Sequence, residues 1–110
     1  MTAVEIKAID VENLKKLWDY NPTLCVIDVR EKHEWDDGHM PNAKHIPKDQ
    51  IAEKIEEISP DKTSAIYLHC RSGTRSQIAA STLISQGYKN VYSVDGGIVD
   101  WDLCGFEVVK

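Results

Sequence analysis

Apolar residues alternate around Val4, Ile6 and Ala8, a pattern that predicts a short strand. Asp10 follows as a helix N-cap. Val11, Leu14, Leu17 and Trp18 then recur at helical spacing until Asn21-Pro22 stops the helix. The unbroken run Leu24-Cys25-Val26-Ile27 predicts a buried parallel strand ending in Asp28-Val29-Arg30. The charged segment from Glu31 to Gly38 predicts a short surface helix, Gly38 to Ala43 a loop, and His45-Ile46 a very short strand before Pro47. Ile51, Ile55 and Ile58 mark another helix, stopped by Ser59-Pro60. Ala65 to His69 is a second buried strand with Cys70 at its C-terminal end. A polar loop, Arg71-Ser72-Gly73-Thr74, leads into a helix from about Arg75, with Ile78, Ala79, Thr82 and Leu83 inward and Gly87 as its stop. Val91 to Val94 is a further strand, and Asp95-Gly96-Gly97 turns the chain into a helical piece ending near Trp101.

Strands that alternate with helices imply an α/β fold, with a mainly parallel central sheet covered by helices on both faces. At 110 residues the expectation is one domain over residues 1–110. In such folds ligands bind beyond the C-terminal ends of the strands. Asp28-Val29-Arg30 and Cys70 both lie at such ends, so the chemistry is expected there.

Composition narrows the partners. A net charge of −5 argues against nucleic acid and anionic membrane, which reward basic patches. It leaves room for a small anion at a locally positive site. The three cysteines, at 25, 70 and 104, are odd in number and widely spaced. They form no C-x-x-C or zinc-finger pattern, so reduced thiols in a cytoplasmic protein are expected, with no metal site. The N-terminus lacks the basic and apolar regions of a signal peptide, and no apolar run approaches a membrane span.

The most informative segment is His69-Cys70-Arg71-Ser72-Gly73-Thr74-Arg75-Ser76. A cysteine between a strand and a helix N-terminus lies near unpaired backbone N–H groups, which favour thiolate over thiol. Arg71 and Arg75 add positive charge. Ser72, Gly73, Thr74 and Ser76 are small enough to let the loop curl, with Gly73 free to take a positive φ. Such a curl is an anion cradle. The competing reading is an inert buried cysteine ending a strand before an incidental turn.

Three segments in order resemble the rhodanese homology domain family. Val26-Ile27-Asp28-Val29-Arg30-Glu31, with Glu34-Trp35 and Gly38-His39-Met40-Pro41-Asn42-Ala43, resembles the first family signature. His69 to Ser76 resembles the active-site loop. Val91 to Ile98, with Trp101 and Gly105, resembles the closing signature. The resemblance implies a single-domain rhodanese-like fold and a two-step sulfur transfer that needs no metal or organic cofactor. Cys70 would take the outer sulfur of thiosulfate, or of a related small anionic donor, as a persulfide. A thiol, cyanide or a small redox protein would then accept it. Loop N–H groups would stabilise the sulfur species, and Arg71 and Arg75 would neutralise the donor.

The remaining residues carry structural readings. Asp28 and Arg30 are expected as a supporting ion pair under the loop, with substrate contact the alternative. His69 reads as packing, because it points to the face opposite its strand neighbours. His39 reads as fixing its own loop, Cys25 as inert core, Cys104 as a plain thiol, and Trp18, Trp35 and Trp101 as packing. Two other functions compete with sulfur transfer. One is a non-catalytic binding module of the same fold. The other is a cysteine phosphatase or arsenate reductase, which would use C-x5-R where this chain has C-x4-R from Cys70 to Arg75.

Overall fold

Five strands make one sheet in the order β1-β5-β4-β2-β3, every neighbouring pair parallel. The computed structural model describes residues 4–110. The strands are β1 (Lys7–Asp10), β2 (Val26–Asp28), β3 (Lys44–His45), β4 (Ile66–His69) and β5 (Val91–Asp95). Parallel neighbours cannot be joined by hairpins, so helices carry the crossovers. These are α1 (Val11–Tyr20), α2 (Lys32–Asp37), α3 (Ile51–Ile58), α4 (Thr74–Ser85) and α5 (Gly97–Leu103), with a 3₁₀ turn at Lys48–Gln50 before α3.

The strands bury both faces, and successive residues divide between two cores. Ile27, Ile66, Leu68 and Val91 pack with Ile51 and Ile55 of α3 and Ala79, Ala80 and Leu83 of α4. Val26, Tyr67 and Val94 pack on the other side with Val11, Leu14 and Trp18 of α1 and Ile98 and Trp101 of α5. Each fully buried aliphatic or aromatic side chain contributes about 1.5–3 kcal/mol relative to exposure. Helices thus cover both faces, as the apolar runs predict.

The differences are local. β1 starts at Lys7, later than the alternation at Val4 suggests, and pairs through Asp10 with Asp95. Asp10 still caps α1, its Oδ1 accepting from the Asn13 N–H at 2.8 Å. Cys25 precedes β2 and is half-buried, not in the sealed core. Leu17 and Ile78, expected inward, are 41% and 50% exposed. On α4 the buried stripe is Ser76, Ala79, Ala80 and Leu83, so polar Ser76 takes the inward place that Ile78 was expected to fill.

Candidate active site

Cys70 leaves the end of β4, and α4 begins four residues later at Thr74. The thiol is 2% exposed. Gly73 takes φ +131°, a backbone that L side chains rarely adopt, and this bends the loop so that its N–H donates to Cys70 Sγ at 3.1 Å. Ser76, on the first turn of α4, sits 3.7 Å from the sulfur through its hydroxyl, which also donates to the Gly73 carbonyl and pairs with Ser93 Oγ at 2.8 Å. Burial alone would push the Cys70 thiol up. Hydrogen bonding with the Ser76 N–H and hydroxyl, and from the N–H groups of Gly73 and Ser72, outweighs burial and brings it below the ordinary thiol value.

The other thiols lack this setting. Burial pushes Cys25 up, only partly offset by Lys44. Cys104 is exposed at the end of α5 and is also raised, with the nearby carboxylates of Glu12, Asp100 and Asp10 contributing after desolvation.

The two loop arginines part company. Arg71 is exposed and makes no ion pair among the described residues. Arg75, expected to face the donor anion, is instead held in a two-pronged pair with Glu34 of α2, at 2.5 and 2.8 Å. Ser72 and Thr74 are exposed.

Asp28 and Arg30 form a buried ion pair beside this loop. Arg30 Nε donates to both carboxylate oxygens at 3.0 Å and Nη2 donates to Oδ2 at 2.7 Å and to the Gly38 carbonyl at 2.7 Å. The pair therefore ties the end of β2 to the end of α2, while Arg30 also reaches the cleft that Arg71 borders. His69 is fully buried; its Nδ1 lies 3.4 Å from the Cys70 carbonyl oxygen, and its Nε2, 3.8 Å from Asp28 Oδ2, has no hydrogen bond among the described residues. Desolvation lowers its pKa despite the pull of Asp28, which favours the neutral ring. His39 fixes its own loop: Nδ1 lies 2.9 Å from the Trp35 carbonyl and the ring stacks on Trp35 at 3.6 Å.

Two contributors stand in segments that carry the family resemblance, yet the sequence assigns neither a part at the loop. Glu34 is one. The other is the start of α5, where Gly97 at φ +53° presses on the loop so closely that a Cβ there would stand 2.3 Å from the Cys70 carbonyl oxygen. The N–H groups of Ile98 and Val99 then take the carbonyls of Cys70 and Arg71, at 3.0 and 3.1 Å. Glycine at 96 and 97 reads in the sequence as a turn; its service to a loop 26 residues earlier does not.

Fold and site define a class: parallel α/β domains that present one thiol in a ring of N–H and hydroxyl donors beyond the sheet's C-terminal edge. Within that class the chain belongs to the rhodanese-like domain family, whose pattern it matches over residues 10–104. It is 39% identical over 99 residues to "Putative sulfurtransferase YtwF" of Bacillus subtilis, covering 90% of this chain and 93% of that protein. It is 36% identical over 99 residues to "Putative sulfur carrier protein YrkF" of the same organism, covering 90% of this chain and 52% of that one. The tRNA uridine(34) hydroxylase of Hamiltonella defensa is 32% identical over 104 residues, 91% of this chain. The chain spans about half the length of the sulfur carrier protein and 28% of the hydroxylase. Among solved structures, a rhodanese-related protein from Thermoplasma volcanium superposes with TM-score 0.76 at 30% identity, covering 94% of this chain and 97% of that one.

Proposed function

We propose that this domain transfers sulfane sulfur through a persulfide on Cys70. The observation that carries the reading is the Cys70 sulfur, drawn toward thiolate by Ser76, Gly73 and Ser72 at the mouth of a strand-to-helix loop. The thiolate attacks the outer sulfur of thiosulfate or a related donor. The new Sγ–S bond forms as the donor's S–S bond breaks and sulfite leaves. An acceptor thiolate then attacks the terminal sulfur and returns Cys70 to thiolate. The same N–H groups that hold the thiolate stabilise the negative persulfide. Arg71, without an ion-pair partner among the described residues, attracts the anionic donor, and Arg75 braces the loop through Glu34. Asp28 and Arg30 hold the neighbouring strand end. The reading includes a reducing, cytoplasmic setting, which three free thiols support.

Intact mass after incubation with thiosulfate, before and after a small thiol, tests it. The expected result is a gain of one sulfur, lost on addition of the thiol. Cys70→Ala should abolish the gain, whereas Cys25→Ala and Cys104→Ala should keep most of it. A Cys70→Ala protein that still gains and delivers sulfur would rule the mechanism out.

A further inference from the structure

Ser93 is a polar residue in an apolar place. It stands in the middle of β5 beside Leu68 of β4 and shares a strand face with Val91, which packs with Ala79, Ala80 and Leu83. Its exposure is 1%. A buried hydroxyl must find a partner or carry the cost of lost hydration. The single partner of this hydroxyl among the described residues is Ser76 Oγ, at 2.8 Å. Sheet packing alone calls for an apolar side chain here, so the hydroxyl is explained by what it does to Ser76.

Proton counting fixes the direction of that bond. Each serine hydroxyl has one hydrogen to give. The Ser76 hydroxyl donates to the Gly73 carbonyl at 3.0 Å, and the Cys70 sulfur, at 3.7 Å, is its other acceptor. The Ser93 proton has only Ser76 Oγ to go to, which leaves the Ser76 proton for Gly73 or the sulfur. The charge on Cys70 decides between those two. A thiol points its own hydrogen at Ser76 Oγ and competes there with Ser93. A thiolate accepts from Ser76 instead, and the donors line up from Ser93 to Ser76 to sulfur, each bond polarising the next. Ser93 thus opposes the thiol arrangement and supports the thiolate one.

We propose that Ser93 is a positioning residue for the reacting sulfur: from the middle of the neighbouring strand it donates to Ser76 and so turns the Ser76 proton toward the Cys70 thiolate. The proposal rests on the sulfur-transfer reading above and adds to it a group that never touches the donor. It involves no covalent step, since each proton stays on its own oxygen. Once Cys70 carries a persulfide, the charge sits on the outer sulfur, and the Ser76 proton is free to return to the Gly73 carbonyl.

The test is the pH profile of Cys70 alkylation by iodoacetamide, read by peptide mass, in wild type, Ser93→Ala, Ser76→Ala and the double variant. Ser93→Ala removes one oxygen and leaves Ser76 in place. It should move the midpoint to higher pH and slow alkylation below that midpoint by about twofold to threefold, with the high-pH plateau little changed. In the Ser76→Ala background the same change should move the midpoint no further, because Ser93 acts only through Ser76. Stability should move the other way. Ser76→Ala leaves the Ser93 hydroxyl buried without its partner, so the double variant should withstand more urea than Ser76→Ala while its alkylation midpoint stays high. A merely structural Ser93 would alter the plateau, through access, or the stability, and leave the midpoint where it is. A Ser93→Ala protein with the wild-type midpoint would overturn the proposal, as would an equal shift in both backgrounds. Intact mass after thiosulfate, run beside the profiles, keeps the two readings apart. Wild-type protein that gains no sulfur would remove the transfer reading, and the alkylation cycle would still decide whether Ser93 holds the thiolate.

Discussion

A cysteine with 2% exposure would ordinarily resist ionisation, because burial penalises the charged form. At Cys70 that penalty is outweighed by donors that arrive from one short stretch of chain, Ser72 to Ser76. This much is legible in the sequence, since small residues and a helix start after a cysteine let the loop curl its own N–H groups toward the sulfur. Ser76 does more than line the curl. It joins the Cys70 sulfur, the Gly73 carbonyl and the buried Ser93 hydroxyl. Ser76→Ala should therefore raise the apparent Cys70 pKa and slow its alkylation by a small haloacetamide at neutral pH, read by peptide mass. The same change strips the 1%-exposed Ser93 of its hydroxyl partner, so the urea midpoint should fall by an amount equivalent to about 1 kcal/mol. An unchanged alkylation profile would mean that backbone donors alone set the thiolate. The Glu34–Arg75 pair was not legible, because no local spacing links residues on α2 and α4.

At the scale of elements, the apolar runs and their stops locate nearly every strand and helix. What they miss is orientation. The apolar pattern points Ile78 inward, yet α4 turns Ser76 toward the sheet to meet the sulfur and Ser93, and this rotates Ile78 into solvent. The demand of the loop outranks the hydrophobicity of one residue. The start of α5 shows a related dependence. Its Gly97 lies against the carbonyls of Cys70 and Arg71, and the next two N–H groups hold those carbonyls. A methyl at this position meets backbone oxygen at 2.3 and 2.6 Å and must also accept φ +53°. Gly97→Ala should therefore force the loop and α5 apart, at a cost of about 1–3 kcal/mol in stability. Sulfur loading of Cys70 should drop at temperatures where the protein remains folded. Thermal unfolding beside single-turnover loading separates the two effects; a variant with normal loading and normal stability would show that this contact is dispensable.

Across the whole molecule, the sheet order β1-β5-β4-β2-β3 puts β4 between β5 and β2, so the ends of β4 and β2, at Cys70 and Asp28, lie beside Ser93 in the middle of β5. Alternating elements predict a parallel sheet without specifying which strand is central, since that is decided by crossovers packing on two faces at once. The convergence places His69, Asp28, Arg30, Glu34 and Arg75 around one site, and it makes the fold sensitive to acid in two steps. His69 is buried with a lowered pKa, so the unfolded chain binds a proton more readily than the fold. Stability then rises with pH: this contribution is complete above the unfolded value of 6.5 and is lost as pH falls below it. Glu34 is also lowered, to about 2 from 4.5, so its contribution is complete above 4.5 and fades as pH falls toward 2. For a pair partly open to water, that contribution is about 1–2 kcal/mol after screening. Urea midpoints measured from pH 7.5 to 3 should decline for wild type in both windows. His69→Gln should flatten the decline that sets in below pH 6.5, and Glu34→Gln should flatten the part that sets in below pH 4.5. A His69→Gln protein whose stability still falls as steeply through the upper window would show that the buried imidazole is not what acid reaches first.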